Sequence, residues 1–397
     1  MMTDRQLFFR HLGQTSPEPP ALEFIRAEGI FLFDKAGRAF YDMTSGFSVS
    51  NIGHCHPKVV EAVQQQAAKY MHQTVYGEFI QNPQTQLALK LVNLLPAQLD
   101  CVYFVNSGSE AIEGAMKLAK RHTGRPNIVS FINAYHGSTQ GSLSMLGNET
   151  MKQAFRPLIP GIRQIEFNNF GQLEQIDSSC AAVFVEPVQT EAGVILPDVG
   201  FLEAVRQRCN ETGALLVFDE IQTGFGRCGS MFVFEQYHVI PDILCLAKAM
   251  GGGMPVGAFI APSQLMNKLS FDPVLGHITT FGGHPVSAAA AVAAIDVISS
   301  EGLLEGIDEK TGIFIDAIKN HPLVKEIRHK GLMIAFDTDN ESTALKALGC
   351  LLDNGLISDR FLFRPQALRI APPLISSVED CKTMAQLLVD ALNKVNS

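Results

Sequence analysis

The sequence predicts an α/β chain: a mostly parallel central sheet covered by helices, with a smaller α+β unit towards the C-terminus. Three observations predict it. Short, nearly continuous apolar runs recur through the middle: CVYFV (101–105), NIVSFI (127–132), AAVFVE (181–186), ALLVFDE (214–220) and DILCLA (242–247). Helix-spaced apolar stripes alternate with them, the pattern of strands buried on both faces. Polar, chemically capable residues follow these runs, where open α/β sheets collect ligands.

In chain order, residues 22–27 have a helix-like pattern. GIFLFD (29–34) and AFYDM (39–43) then alternate around Lys35-Ala36-Gly37-Arg38, which predicts a hairpin. Pro57 suits the first turn of a helix carrying Val60, Val63 and Ala67. Leu87, Leu91 and Leu94 mark another helix before CVYFV. Ala111, Ile112, Ala115, Met116 and Ala119 form a helical stripe after it. Phe201, Leu202, Val205 and Cys209 make a further helix between AAVFVE and ALLVFDE. Beyond about residue 290 the pattern becomes helix, LMIAFD (332–337), LRIAPPL (368–374) and a helix from about Val378.

Composition bounds the function. The chain has 397 residues, 46% hydrophobic and 18% charged, enough for a large core and more than one average domain. A formal net charge of −9, without long runs of one sign, argues against nucleic acid or an anionic membrane as a partner. Eight cysteines lie scattered without C-x-x-C spacing, which suggests a reducing compartment and no zinc site or disulfide framework. The first residues, MMTDRQLFFRHLGQ, lack the apolar core of a secretion signal. The apolar stretch 286–295 is too short for a span, which needs about 20 residues. The expectation is a cytoplasmic protein.

Each polar group has two readings. Ser107-Gly108-Ser109-Glu110 opens a helix after a strand, so it is either a capping box or an anion cradle. Asp219 ends a buried strand and needs a cationic or N–H partner, structural or catalytic. Lys248 sits in ILCLAKAMGGGMPVG (243–257), where it either snorkels or is a desolvated nucleophile and base. The glycines after it permit close approach to a ligand. Gly224-Phe225-Gly226-Arg227-Cys228-Gly229 matches G-x-G-x-x-G, but no clear helical stripe follows it. His54-Cys55-His56 has no carboxylate cluster at ligand spacing, so it reads as a loop rather than a metal site.

One ligand uses the cradle, the carboxylate and the lysine together: pyridoxal 5′-phosphate (PLP). GRAFYDMTSG, GHCHP, NSGSEA, YHG, EPVQTEAGV, VFDEIQTGFGR, LAKAMGGGMPVGA, TTFGGHP and LRIAPPL follow one another across nearly the whole chain. In these motifs the chain resembles the class III aminotransferases of fold type I, the ornithine, acetylornithine and 4-aminobutyrate type.

The resemblance implies a role for each matching residue. Lys248 forms the Schiff base with PLP and shuttles the proton, and Asp219 keeps the pyridine nitrogen protonated. Gln222 contacts the phenolic oxygen. Tyr135 stacks on the ring, His136 lies beside it, and Ile221 packs on the other face. Ser107, Gly108 and Ser109 bind phosphate. Thr280 reaches the phosphate of the neighbouring subunit, which implies a homodimer with shared sites. Arg369 binds the substrate α-carboxylate, Glu191 neutralises Arg369 when an ω-amine is bound, and Glu186 supports the cofactor pocket from behind.

The implied reaction moves an amino group from an ω-amino acid or diamine to a 2-oxo acid in two half-reactions. An aminomutase or racemase on the same fold, a PLP-binding sensor, and an NAD-dependent oxidoreductase at 224–229 are the alternatives. The implied domains are an N-terminal segment (1–52), a large PLP-binding domain (53–290) and a small domain (291–397) packed with the N-terminal segment. One position departs from the family: Ser138 stands where an arginine commonly binds the distal carboxylate. Arg156 and Arg163 are the candidates to replace it.

Overall fold

The computed structural model describes residues 2–395. Met1, Asn396 and Ser397, at the outer ends of the expected N- and C-terminal segments, lie outside the described residues.

A seven-stranded sheet forms the centre. Its spatial order is Cys101–Val105, Gly257–Ala261, Ile243–Leu246, Leu215–Asp219, Cys180–Val185, Asn127–Phe131 and Ile162–Ile165. Every pair among the last five is parallel. Gly257–Ala261 runs antiparallel to both its neighbours, so Cys101–Val105 points the same way as the other five. Six carboxyl ends therefore share one edge of the sheet. All six residues of Cys180–Val185 are buried, as a strand covered on both faces must be.

The helix Gly108–Thr123 covers one face with Ala111, Ile112, Ala115, Met116, Leu118 and Ala119, all buried. Burying a side chain the size of Ile112 or Met116 contributes about 1.5–3 kcal/mol. Gly124 ends this helix at φ 68°, a left-handed conformation that glycine adopts freely. Pro57–Lys69, Asn82–Asn93 and Pro285–Ser300 pack together elsewhere on the sheet.

Phe24–Glu28, Phe31–Asp34 and Ala39–Asp42 form an antiparallel sheet, and Asp34 Oδ1 accepts from Ala36 and Arg38 N–H to close the hairpin. Leu356–Ile357 joins it in parallel, bringing the two ends of the chain into one sheet. Glu326–Lys330, Met333–Asp337, Arg364–Ile370 and Arg360–Phe361 form a third sheet, backed by Glu341–Asp353, against which Val378–Asn393 packs.

Two sequence expectations change. Residues 22–27 are not helical: Phe24–Glu28 is a strand, because its main chain pairs with Phe31–Asp34. The G-x-G-x-x-G stretch turns back on itself instead of opening a helix. Phe225 N–H bonds to Met231 O and Gly226 N–H to Ser230 O. Among the described residues no helix is long and apolar enough to cross a membrane.

Candidate active site

The shared strand edge gathers the polar residues that the sequence singles out. Asp219 is the last residue of its strand, Glu186 directly follows Cys180–Val185, and Lys248 lies two residues beyond Ile243–Leu246. A cavity of about 420 Å³ opens there. Ser107, Gly108, Ser109, Tyr135, His136, Glu186, Asp219, Ile221, Gln222 and Lys248 all line it. A second cavity of about 530 Å³ shares Tyr135, Gln222 and Lys248 and adds Glu191. Thr280 lines neither cavity and is exposed at the protein surface.

At the cradle, Ser107 Oγ accepts from Glu110 N–H at 3.2 Å. The reciprocal arm of a capping box is redirected: Glu110 Oε2 accepts from Asn106 N–H at 2.7 Å and from Asn106 Nδ2 at 2.9 Å. Gly108 and Ser109 begin the helix, so their N–H groups have no partner within it. Both residues face the cavity, where the helix dipole favours an anion. A side chain at Gly108 would meet Ile221 Cδ1 at 2.9 Å, and one at Gly137 would meet Ser109 Oγ at 1.9 Å. The glycines keep this floor thin.

Asp219 is 5% exposed, and both of its oxygens are engaged. Oδ1 accepts from Ile221 N–H at 3.0 Å, and Oδ2 lies 2.8 Å from His136 Nδ1. Burial disfavours the imidazolium, but the hydrogen bond and charge of Asp219, with Glu186 adding, leave the His136 pKa above its ordinary value. The other ring nitrogen, Nε2, is buried without a partner. Glu186 accepts from Tyr135 N–H and from both the N–H and hydroxyl of Thr190. Burial still pushes its carboxyl up to about 7.

Lys248 adopts φ 49°, a left-handed conformation uncommon for a side-chain-bearing residue. That turn lies between its strand and the glycine-rich segment. Burial lowers the ammonium pKa, against the opposing charge of Glu191. Nζ donates to Gln222 Oε1 at 2.8 Å. Gln222 Nε2 in turn donates to Glu191 Oε1 at 3.1 Å, and Glu191 Oε1 pairs with Arg369 Nη2 at 2.8 Å. Burial alone would raise the Glu191 pKa, but Arg369 and Lys248 hold it below its ordinary value. Arg369 is 1% exposed, and its Nε and Nη1 have no partner. The Phe361 and Phe47 rings lie 4.3 and 5.0 Å from its guanidinium carbon.

Sequence reasoning missed the walls of the second cavity: Phe47, Glu341, Asp359, Arg360, Phe361, Leu362 and Pro365. Phe47 lies on a left-handed turn, with Ser45, Gly46, Phe47 and Ser48 at φ 49°, 56°, 61° and 64°. Asp42 Oδ1 ties the turn down by accepting from Thr44 N–H, Thr44 hydroxyl and Ser45 N–H. Only Gly46 in SGFS hinted at it. The proposed replacements for the family arginine are placed elsewhere. Arg156 pairs with Glu149 and Arg163 with Asp177, and neither lines the two cavities. Ser138 lies at the surface, with Oγ 3.1 Å from the Tyr135 hydroxyl. His54 turns to Asp42 at 2.9 Å and His56 towards Glu301 at 3.6 Å, so the two histidines diverge.

The residues present fit PLP. A desolvated lysine amine, a buried carboxylate, a helix N-terminus and the Tyr135 and Ile221 side chains border one cavity. The buried, unpartnered His136 Nε2 sits beside the same space.

Comparison with known proteins gives the same picture. The family model "Aminotransferase class-III" matches residues 14–392. The fold is similar to ornithine aminotransferase from Toxoplasma gondii, with TM-score 0.91 and 28% identity over 98% of this chain and 93% of that one. That structure is described as having partial occupancy of PLP at its active site. It is also similar to acetylornithine aminotransferase from Elizabethkingia anophelis, with TM-score 0.86 and 32% identity over 98% of both chains. Adenosylmethionine-8-amino-7-oxononanoate aminotransferase from Methanocaldococcus jannaschii gives TM-score 0.91 and 25% identity, again over 98% of both.

Proposed function

This chain belongs to the class III aminotransferases, PLP-dependent enzymes of fold type I that transfer amino groups, and on that premise we propose that it takes the amino group of an ω-amino acid or diamine and delivers it to a 2-oxo acid in two successive half-reactions. The observation that carries this reading is the joint lining of one cavity by Lys248, Asp219 and the Ser107–Gly108–Ser109 turn.

Bound there, PLP supplies an electron sink that lets the donor lose the proton on its amine-bearing carbon. Lys248, Asp219, Gln222, Tyr135, His136, Ile221 and the serine-glycine turn would hold it. Lys248 Nζ, with its pKa lowered by burial, is the base that takes that proton and returns it. Gln222 orients Nζ for both transfers. Asp219 sits behind the site, where His136 fixes the carboxylate's direction. Glu186 braces the Tyr135 main chain.

Arg369 and Glu191 let one pocket serve two substrates. While a donor without an α-carboxylate is bound, Glu191 neutralises the buried guanidinium. When a 2-oxo acid enters, its carboxylate takes the place of Glu191 on Arg369, whose fork suits planar carboxylates.

The wider assignment is a cytoplasmic homodimer. Exposed Thr280 is available to reach a neighbouring subunit's phosphate site. The proposed division is an N-terminal segment to residue 52, a PLP-binding domain to 290 and a small domain beyond. Nitrogen balance tests the reaction. One equivalent of amino acid should form from the oxo acid for each equivalent of donor consumed. Rearrangement or racemisation of the donor with no oxo acid consumed would instead support the mutase or racemase reading.

A further inference from the structure

We propose that the amine donor carries a second, cationic amine at its far end and that Asp359 binds it; this inference rests on the transaminase reading above.

Asp359 lines the 530 Å³ cavity that also holds Lys248, so a single extended molecule has access to both. The charges around this cavity are mostly matched. Glu191 pairs with Arg369, and Glu341 pairs with Arg360. Asp359 is different: among the described residues it forms no ion pair. Its Oδ1 accepts only the N–H of its own neighbour, Arg360, at 2.7 Å. Its main-chain carbonyl accepts from Arg369 N–H at 2.9 Å, which fixes it beside the sheet carrying Arg369. Phe47, Phe361, Leu362 and Pro365 form much of the surrounding wall.

An unmatched carboxylate beside an apolar wall favours a cation that brings its own hydrogen-bond donors. A primary ammonium meets that need. A carboxylate at the same place would face Asp359 and reach only Arg360, which Glu341 already neutralises. Ser138, Arg156 and Arg163 do not line this cavity, and the two arginines pair with Glu149 and Asp177 elsewhere. The geometry thus gives the two ends of the pocket different tasks. Lys248 meets the reacting amine, Asp359 holds the other amine, and Arg369 stays closed by Glu191 until the oxo acid arrives.

Steady-state kinetics of the holoenzyme with pyruvate test this, using 1,4-diaminobutane, 1,5-diaminopentane, butylamine and 4-aminobutyrate as donors. A charge-assisted hydrogen bond predicts a kcat/KM for the diamines roughly 10- to 100-fold above butylamine. That ratio should collapse in Asp359→Asn and persist in large part in Asp359→Glu. Calorimetry on PLP-loaded Lys248→Ala should show 1,4-diaminobutane binding that weakens by a similar factor when Asp359→Asn is added. Equal values for diamine and monoamine overturn the inference. So does a preference for 4-aminobutyrate, which would make Arg360 a carboxylate clamp. A diamine preference that survives Asp359→Asn overturns it as well. In each of these cases nitrogen still moves to pyruvate and the transaminase reading stands. If no donor transfers nitrogen to any oxo acid, the transaminase reading itself fails.

Discussion

Lys248 Nζ donates a 2.8 Å hydrogen bond to Gln222 Oε1. The amide is fixed at its other end, where Nε2 meets Glu191. The proposed proton carrier and the proposed carboxylate switch therefore share one side chain. The same Glu191 oxygen meets Arg369 Nη2, so a Glu191 displaced in the proposed exchange would also leave Gln222 without that acceptor.

Lys248→Ala tests the lysine directly. Removing a positioned general base costs about 10²- to 10⁴-fold in rate. Turnover should fall by that order while the protein still binds PLP through the serine-glycine turn and Asp219. Millimolar methylamine should restore part of the rate, because it replaces the missing amine. Wild-type turnover in this variant would refute the mechanism.

Glu191→Gln separates the two half-reactions. The variant lacks the charge that neutralises Arg369, so the buried guanidinium favours carboxylate ligands throughout the cycle. The expected result is a KM for the oxo acid lowered by about tenfold and a KM for a carboxylate-free donor raised by a similar factor. Parallel shifts of the two constants would contradict the switching role.

Much of this was legible in the chain. Apolar runs such as AAVFVE announced strands because both faces are buried, and the polar residues at or just after several run ends line one cavity. Lys248 and Asp219 stood out because charge in such runs needs a reason. Other parts left no periodic signal. Ile162–Ile165 is a polar edge strand, and Gly257–Ala261 follows the glycine-rich segment too closely to stand apart. Phe24–Glu28 resembled a helix because strand identity there comes from its partner, not from its own spacing. The second cavity's walls come from 47 and 359–365, far apart in sequence and joined only by tertiary packing. The spacing of Arg156 and Arg163 gave no sign of their partners, because their pairing with Glu149 and Asp177 is set by tertiary packing.

The left-handed turn at Ser45–Ser48 stores strain that can be released. Ser48 has φ 64°, and its buried Oγ has no hydrogen-bond partner. A left-handed conformation costs a side-chain-bearing residue roughly 1–2 kcal/mol. Glycine at the same place costs about 0.5–1 kcal/mol in chain entropy. Losing the unsatisfied hydroxyl adds to the gain. Ser48→Gly is therefore expected to stabilise the protein by about 1 kcal/mol in denaturant titration. Destabilisation would mean that the serine side chain packs favourably despite its empty hydroxyl.

Glu186 gives a pH dependence with a definite sign. Its carboxyl is raised from 4.5 to about 7 because burial penalises the charge, with His136 opposing and Asp219 adding. Between those values the folded chain holds a proton that the unfolded chain has released. Stability from this group is therefore full below about 4.5 and is lost as pH rises through about 7. Glu186→Gln removes that titration. Its amide also meets the Thr190 N–H and hydroxyl, which now donate to a carboxylate oxygen, so a constant penalty accompanies the change. The penalty does not titrate, whereas the benefit does. The unfolding free energy of the variant relative to wild type should rise between about pH 5 and pH 8, measured on the PLP-free forms by urea titration. A difference that stays flat over this range would show that Glu186 is already ionised at the lower pH. A difference that falls would show that charge at Glu186 stabilises the fold.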